Sequence, residues 1–328
     1  DAGISLCKEG TTTLYQNTNE LISCYVKAIA FAPQGDCWVG TMGGVAIRKE
    51  EKMVGKLTPA EGLSNSLVNC IERAPDGTMW VGTELGVVRY DKDLKPSLRF
   101  SRRWLTNDHV NDIAFDSEGN AWIATNSGVS CIRRSNMTLA QKERNFYNQL
   151  MRRHIREPWT CGSVYLEIPG DSASWRPEDD DNDGEYTGGY LAMESFRYAV
   201  TKSEDAHAKA RKAFDFLCQL QTVTGTAGFF ARSIVPPNWT RVHDANRTYT
   251  ERQIAEELVK DFRYKPVEQR WRPSADGKWL WKGDTSTDEM DGHFMAYFYF
   301  YEYAANDEEK QLVRDHVKKI MDELIRTN

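Results

Sequence analysis

Residues 229–252 hold a dense group of side chains suited to chemistry. Arginine binds a carboxylate through two parallel hydrogen bonds, and a sugar ring can stack on the flat face of Trp or Tyr. This composition predicts a loop that binds an acidic sugar, and the competing interpretation is an ordinary surface loop. The residues assigned to binding or catalysis here are Arg232, Trp239, His243, Asn246, Arg247 and Tyr249.

Chemistry on a uronate needs two kinds of group. One neutralises the carboxylate, which makes the C5 proton acidic, and the other removes that proton. Arg232, Arg247 or Lys282 is expected to hold the carboxylate. His243 or Tyr249 is expected to take the proton.

An acidic segment, residues 176–190, opens like the calcium loop D-x-D-x-D-G. Its metal candidates are Asp179, Asp181 and Asp183. The pattern then fails, because its twelfth position is Tyr190 where a bidentate glutamate is expected. Calcium is thus the one cofactor suggested, and the sequence requires none. The alternatives are a site mouth, with Asp183 or Glu185 bonding sugar hydroxyls, and a solvated loop.

A polar cluster followed by aromatic residues occupies positions 281–306. Its expected substrate-binding residues are Trp281, Lys282 and Asp284, and its expected catalytic residues are Asp288 and His293. Trp281 either packs beneath the helices or forms a sugar platform. Carboxylates near a helix N-terminus also stabilise the helix, so capping explains part of the cluster. Gly292 indicates close approach of a ligand or of another helix. The aromatic run 294–303 predicts a buried helix core.

The first third of the chain is a repeat array. Trp38, Trp80 and Trp122 recur at a spacing of 42 residues. An apolar strand pattern and a Gly-containing turn precede each tryptophan, and a Gly-Val pair follows it. Short antiparallel strands at a period of about 40 to 45 residues are typical of the four-stranded blades of a β-propeller. The tryptophans are expected to pack the strands. These units resemble the propeller repeats in the sensor parts of bacterial two-component regulators.

The rest of the chain has helical periodicity. Apolar inner helices alternate with charged outer ones, which predicts an all-α, (α/α) toroid-like domain. The expected domains are a β-propeller over 1–134 and the helical domain over 135–328. Three repeats and a fragment are fewer than the roughly 4 to 8 blades of a closed ring, so both domains are expected to be incomplete in a window on a longer protein.

Composition excludes several classes of protein. A net charge of −6 over 328 residues gives no signal for nucleic acid as a partner. No apolar run approaches the ~20 residues needed to cross a bilayer, so no membrane insertion is expected. The seven cysteines occur singly, without a CxxC pair, which argues against a zinc site or a dense disulfide framework.

Three motifs carry a second resemblance, at Asp181–Tyr190, Phe196–Thr201 and Gly283–Tyr297. With the propeller and helical domains, they resemble bacterial secreted enzymes, the rhamnose-glucuronate polysaccharide lyases that remove rhamnose caps from arabinogalactan. The resemblance implies a periplasmic or extracellular protein whose partner is an acidic plant polysaccharide. It implies cleavage of rhamnose-α-1,4-glucuronate by β-elimination.

Two other functions remain open. A glycoside hydrolase of the same architecture would use two carboxylates, such as Asp183 and Asp288, as acid and base. A non-catalytic, glycan-binding sensor module is what the propeller repeats alone would suggest.

Overall fold

The computed structural model describes residues 3–16, 21–50, 52–179 and 182–327. The chain divides into two compact units, Asp1–Thr138 and Leu139–Asn328. The sequence placed the boundary a few residues earlier, after residue 134. In the described part of the chain, no helix is long and apolar enough to cross a membrane.

The first unit consists of antiparallel sheets in chain order. A hairpin, β1-β2, is followed by two four-stranded sheets, β3-β4-β5-β6 and β7-β8-β9-β10, and a three-stranded sheet, β11-β12-β13. The strands are β1 (Ile4–Lys8), β2 (Thr11–Tyr15), β3 (Val26–Phe31), β4 (Cys37–Thr41), β5 (Gly44–Lys49), β6 (Lys52–Leu57), β7 (Val68–Arg73), β8 (Met79–Thr83), β9 (Gly86–Tyr90), β10 (Pro96–Arg99), β11 (Val110–Phe115), β12 (Ala121–Thr125) and β13 (Gly128–Ile132). These sheets have the strand order of propeller blades, as the 42-residue period predicts.

The repeat extends to irregularities in the sheets. The register shifts in the first strand of each larger sheet, directly after Val26, Val68 and Val110. These valines are 42 residues apart, so the bulge belongs to the repeated unit. A bulge increases local twist, which suits the strongly twisted sheet of a propeller blade.

The three repeated tryptophans differ in burial. Trp38 contacts Tyr90 of the next sheet at 5.8 Å between ring centroids, and Trp80 contacts Phe115 of the sheet after it at 5.5 Å. Both are at least 96% buried, whereas Trp122 is 43% exposed. Trp122 is less buried than the other two, although it keeps a structural contact, because its indole N–H donates to Asp116 Oδ2 at 2.9 Å. Each buried indole is covered by the following sheet, and within the described residues of this unit no sheet follows the third one.

The second unit contains six α-helices and seven short strands in its described residues. Its helices are α1 (Leu139–Arg153), α2 (Asp183–Thr201), α3 (Glu204–Thr222), α4 (Glu251–Lys260), α5 (Thr287–Tyr303) and α6 (Asp307–Thr327). Its strands are β14 (Ile155–Arg156), β15 (Thr160–Cys161), β16 (Val164–Leu166), β17 (Trp175–Pro177), β18 (Ser233–Val235), β19 (Trp271–Pro273) and β20 (Leu280–Lys282).

Helix α2 packs against α3 and α5, and α5 packs against α6. The core between them includes Leu191, Phe214, Leu217 and Phe300, each buried. Apolar inner helices alternating with charged outer ones were expected. The described residues do not close these helices into a ring, so the (α/α) toroid is not confirmed.

Helix α5 is less buried than its composition predicts. Met295, Phe298 and Tyr303 are 42–58% exposed, while Ala296 and Phe300 are fully buried. The prediction that the aromatic run is entirely core was therefore wrong. The buried residues of α5 face the core, and its exposed apolar residues are of a kind that is common on protein surfaces.

Glycines set the closest approach of α2 and α5. A Cβ on Gly188 would lie 2.5 Å from the carbonyl oxygen of Gly292, and a Cβ on Gly292 would lie 2.5 Å from Cα of Glu185. Both distances are far inside van der Waals contact. Gly292 therefore serves helix packing, one of the two explanations that its sequence position allowed.

Candidate functional site

The loop that precedes α4 is held against a small sheet in the order β18-β20-β19. Asn246 fixes the loop with two hydrogen bonds to the backbone of Trp271, donating from Nδ2 at 2.9 Å and accepting at Oδ1 at 2.8 Å. Thr250 then caps α4 in a capping box with Gln253. These contacts fix the backbone on both sides of Arg247 and Tyr249.

Two arginines converge on the phenolic oxygen of Tyr249. Arg247 donates from Nε at 2.9 Å and Arg270 from Nη2 at 3.3 Å. The ring of Tyr264 lies edge-on to that of Tyr249, with 6.4 Å between the ring centroids. We call these four residues the Tyr249 cluster. Tyr249 is half-buried, and the side chain of Arg247 is 53% exposed, so the cluster is open to solvent.

This arrangement favours the phenolate. Partial burial acts to raise the pKa of Tyr249, but the hydrogen bonds from Arg247 and Arg270 outweigh it and lower that pKa from 10.0. Hydrogen bonds and cations that stabilise the charged form act in this direction. A lowered pKa is in the direction that the predicted role of Tyr249 as a general base requires, and that role stays a prediction.

Two carboxylates balance the cations of the cluster. Arg270 pairs with Asp284 and lies 3.5 Å from Asp244, and Lys282 Nζ lies 3.4 Å from Asp244. Burial opposes ionisation of Asp244, but Lys282 and Arg270 lower its pKa. Arg232 donates to the backbone carbonyl of Asp284 at 3.1 Å. The structure therefore brings Arg232, Lys282 and Asp284 next to the Tyr249 cluster.

A second polar group surrounds Asp183 at the start of α2. Its carboxylate is buried and pairs with Arg156, and it accepts a hydrogen bond from Ser233. Burial raises the pKa of Asp183 to about 6, against the stabilising effect of Arg156 and Ser233. Asp288 instead is exposed and accepts hydrogen bonds from Ser286 and Asn182. A hydrolase needs both carboxyl groups to reach one bond, and the use of this pair as acid and base stays a prediction.

Glu289 and Glu185 are in contact where the first turns of α5 and α2 meet. Glu289 is fully buried and accepts the peptide N–H of Glu185 at 3.2 Å, close to the N-terminus of α2. Burial raises the pKa of Glu289 to about 8, against the peptide N–H groups and Arg232. Asn182 donates to Glu185 Oε2 and to Asp288 Oδ2, each at 2.8 Å.

The two predicted histidines lie in different surroundings. His243 donates its peptide N–H to Asp179 and accepts at its carbonyl from the indole of Trp271 at 2.7 Å. The ring of His293 is fully buried; it stacks on Phe230 at 4.5 Å, and its Nδ1 lies 2.7 Å from the hydroxyl of Tyr297. A catalytic role for either histidine stays a prediction.

The two predicted tryptophans also differ. Trp239 is half-buried, and the guanidinium of Arg156 lies 5.4 Å from its ring centroid. Trp281 is 92% buried and packs against Phe229 and Arg272. Between the two interpretations of Trp281, the structure places it in the packing beneath the site.

The calcium prediction is only partly covered by the structure. Asp181 lies outside the described residues. Asp179 accepts from His243, and Asp183 pairs with Arg156. Among the described residues, no three His, Cys, Asp or Glu side chains are arranged to hold a metal ion. Calcium binding by this segment stays a prediction.

Several site residues were not assigned from the sequence. They are Arg156, Ser233, Asp244, Tyr264, Arg270 and Glu289. Glu289 had a signal, because it follows Asp288 inside one of the three motifs. Arg156 had none, because its pairing with Asp183 joins segments 27 residues apart.

Comparison with known proteins bears on the first unit. Residues 62–84 and 105–127 match the family described as "Two component regulator propeller". Both ranges lie in the repeat array and include its Gly-containing turns and Trp80 or Trp122. No curated protein matches the chain.

Solved structures give partial likenesses. The extracellular domain of a hybrid two component system from B. thetaiotaomicron is 29% identical, with a TM-score of 0.36, over 40% of this chain and 19% of that one. A second such domain from that organism is 14% identical, with a TM-score of 0.31, over 48% and 23%. Virginiamycin B lyase from Staphylococcus aureus is 16% identical, with a TM-score of 0.25, over 34% and 42%.

The chain spans about a fifth of the length of the first of these proteins. With TM-scores below 0.5, the three likenesses carry no argument about activity. The family match rests on the repeats themselves. The chain therefore contains propeller repeats of the two-component-regulator type.

Proposed function

We propose that this chain belongs to a glycan-binding sensor that acts outside the cytoplasm, and that the Tyr249 cluster binds an acidic sugar of its ligand. The observation that carries the proposal is the convergence of Arg247 and Arg270 on Tyr249 at a solvent-exposed loop. The propeller repeats support the sensor part of the proposal, because the matching family is that of two-component regulators.

The chemistry of the cluster suits a uronate. Arg247 uses Nε for Tyr249, and its Nη2 lies 4.0 Å from Asp244 Oδ1. Its side chain is 53% exposed, so a ligand carboxylate can reach the guanidinium in competition with that long ion pair. Arg270 adds a second positive charge next to Tyr249, with a side chain that is 15% exposed and pairs with Asp284. The ring of Tyr249 offers an apolar face for a pyranose. A planar bidentate contact to arginine would distinguish a uronate from the neutral sugar of the same shape.

A second function, polysaccharide lyase, is favoured by the lowered pKa of Tyr249. In that reaction Tyr249 removes the C5 proton of a uronate whose carboxylate is neutralised by Arg247. The electron pair of the C5–H bond forms the C4–C5 double bond, and the C4–O bond breaks. The departing oxygen takes up a proton. The substrate that the resemblance noted above implies for this reaction is rhamnose-α-1,4-glucuronate of arabinogalactan.

One experiment separates the two functions. The chain is mixed with rhamnose-capped arabinogalactan and with a panel of uronate glycans, and both binding and the ultraviolet absorbance of a conjugated uronate are followed. The sensor proposal predicts binding without a rise in absorbance. A rise that disappears in Tyr249→Phe would establish the lyase instead. Absence of binding to every glycan would contradict both.

A further inference from the structure

A cavity of about 800 Å³ lies in the helical unit beside α2 and α5. Its walls come from the end of α1, the segment around β15, and the N-terminal halves of α2 and α5. Its lining residues include Glu185, Gly189, Tyr190, Met193, Asp291 and Met295. This volume is within the range of small-molecule sites.

The chemistry of the cavity differs from that of the Tyr249 cluster. Its surface is mainly apolar and aromatic, with Tyr190, Met193 and Met295 among its walls. Its formal charges are the carboxylates of Glu185 and Asp291, and its described lining residues include no Arg or Lys. A uronate carboxylate placed there would meet like charge. A ring with one apolar face and several hydroxyl groups would meet apolar walls and carboxylate acceptors.

The two adjacent glycines of α2 differ in the space around them. A Cβ on Gly188 would overlap the carbonyl oxygen of Gly292, whereas a Cβ on Gly189 would meet no atom within 4 Å. Gly188 is thus required by helix packing. Gly189 lines the cavity and leaves space where a side chain would reduce its volume.

We propose that this cavity is a binding site for an uncharged sugar ring, with Glu185 and Asp291 accepting hydrogen bonds from its hydroxyl groups. The proposal rests on the proposed function in that it takes the ligand to be a glycan. The cavity and the Tyr249 cluster would then bind different residues of one glycan, a neutral one and an acidic one.

Glu185 connects the cavity with the polar groups described above. Its peptide N–H donates to Glu289, and its Oε2 accepts from Asn182, which also donates to Asp288. These contacts fix the Glu185 side chain at the cavity wall. A fixed acceptor favours one orientation of a bound hydroxyl group, because less side-chain freedom is lost on binding.

The test measures binding of methyl glucoside, methyl glucuronide and glucosamine by isothermal titration calorimetry. These probes share one ring and differ in charge. Gly189→Phe fills the cavity, and Gly189→Ala is its matched control. The proposal predicts that methyl glucoside binds the native chain and Gly189→Ala, and binds Gly189→Phe about tenfold more weakly or less, because the added ring occupies the sugar's volume. Asp291→Lys, at an exposed position, is predicted to admit methyl glucuronide to the cavity.

Several results would overturn the proposal. They are absence of methyl glucoside binding to the native chain, equal binding to Gly189→Phe, and tighter binding of glucosamine, which would indicate a cation site. If Gly189→Phe does not fold, by far-ultraviolet circular dichroism, the Asp291→Lys result decides. Failure of the proposed function has a different signature: methyl glucuronide binding that Arg247→Ala leaves unchanged.

Discussion

Arg247 donates its Nε hydrogen to the phenolic oxygen of Tyr249 over 2.9 Å. The two residues are separated by one position in the chain, so the contact depends on the backbone path of the loop. Asn246 fixes that path through its two hydrogen bonds to Trp271. This hydrogen bond joins a cation to a phenol that can lose a proton, and it lowers the pKa of Tyr249.

Replacing Arg247 by Leu is expected to raise the pKa of Tyr249 towards that of a free tyrosine. The variant removes one of the two arginine donors and one positive charge near the oxygen. The titration is followed through the ring-carbon NMR signal of Tyr249, assigned with Tyr249→Phe. Arg252→Leu is the control, because Arg252 pairs with Glu256 on the surface of α4. An unchanged titration in Arg247→Leu would show that the contact does not exist in solution.

The two neighbouring glycines of α2 provide a matched pair for stability. Gly188→Ala is expected to destabilise the helical unit by about 1–3 kcal/mol, because its Cβ overlaps the carbonyl oxygen of Gly292. Gly189→Ala is expected to stabilise it by up to ~1 kcal/mol, because alanine is the better helix former and its Cβ meets no atom. Urea unfolding followed by the far-ultraviolet helix signal measures both. Equal effects would mean that α2 and α5 are not packed as described.

Loss of one partner from the Arg156–Asp183 pair should be costly. Arg156→Met leaves Asp183 as a buried carboxylate with a single remaining side-chain donor, Ser233. The expected destabilisation is about 3 kcal/mol.

The double variant Arg156→Met with Asp183→Asn is the control for that measurement. It removes the uncompensated charge and should recover much of the loss. Both variants are compared with the native chain by urea unfolding. If the double variant is as unstable as Arg156→Met alone, the cost does not arise from the charge on Asp183.

Stability is expected to fall as the pH rises from 6.5 to 8. Burial raises the pKa of Glu289 to about 8 in the folded chain, so the folded state binds a proton that the unfolded state has already lost. Stability from such a group is lost as pH approaches the folded-state pKa, by about 2 kcal/mol over this interval. Glu289→Gln cannot ionise and should lose this dependence.

Other buried groups also titrate near this interval. Burial raises the pKa of Asp183 to about 6 and lowers those of His293 and His316 to about 3 and about 4. In the unfolded chain the two histidines return to an ordinary pKa of about 6.5, so their proton release above pH 6.5 opposes the effect of Glu289 by about 0.4 kcal/mol each. Glu289→Gln retains these three groups, so its difference from the native chain reports Glu289. Urea unfolding at pH 6.5 and 8 gives the comparison. A native chain with the same pH dependence as Glu289→Gln would contradict the assignment.

The repeat period predicted the strand order of the first unit because a propeller blade is a local structure. The residues that pair within a blade lie within one 42-residue repeat, as Ala30 with Trp38 and Glu72 with Trp80. Burial of the indoles was not predictable in the same way. It depends on the following sheet, which covers Trp38 and Trp80 and leaves Trp122 exposed.

The candidate site was predictable in composition but not in pairing. Arg247, Tyr249 and Asn246 were recognised because one loop concentrates them. Their partners Arg270 and Tyr264 come from other segments, and residue types alone do not reveal which cation meets which carboxylate. The prediction that the aromatic run of α5 is entirely buried was wrong. Sequence periodicity does not show which faces of a helix are covered by other elements.

The central claim is that the Tyr249 cluster recognises the carboxylate of an acidic glycan. It is tested most directly by calorimetric titration of the chain with an oligoglucuronate and with the same oligosaccharide after reduction of its carboxyl groups to alcohols. The claim predicts that the acidic form binds, that the reduced form binds at least about tenfold more weakly, and that Arg247→Ala removes the difference. Equal affinity for the two forms, or an acidic form that binds Arg247→Ala as tightly as the native chain, would contradict it.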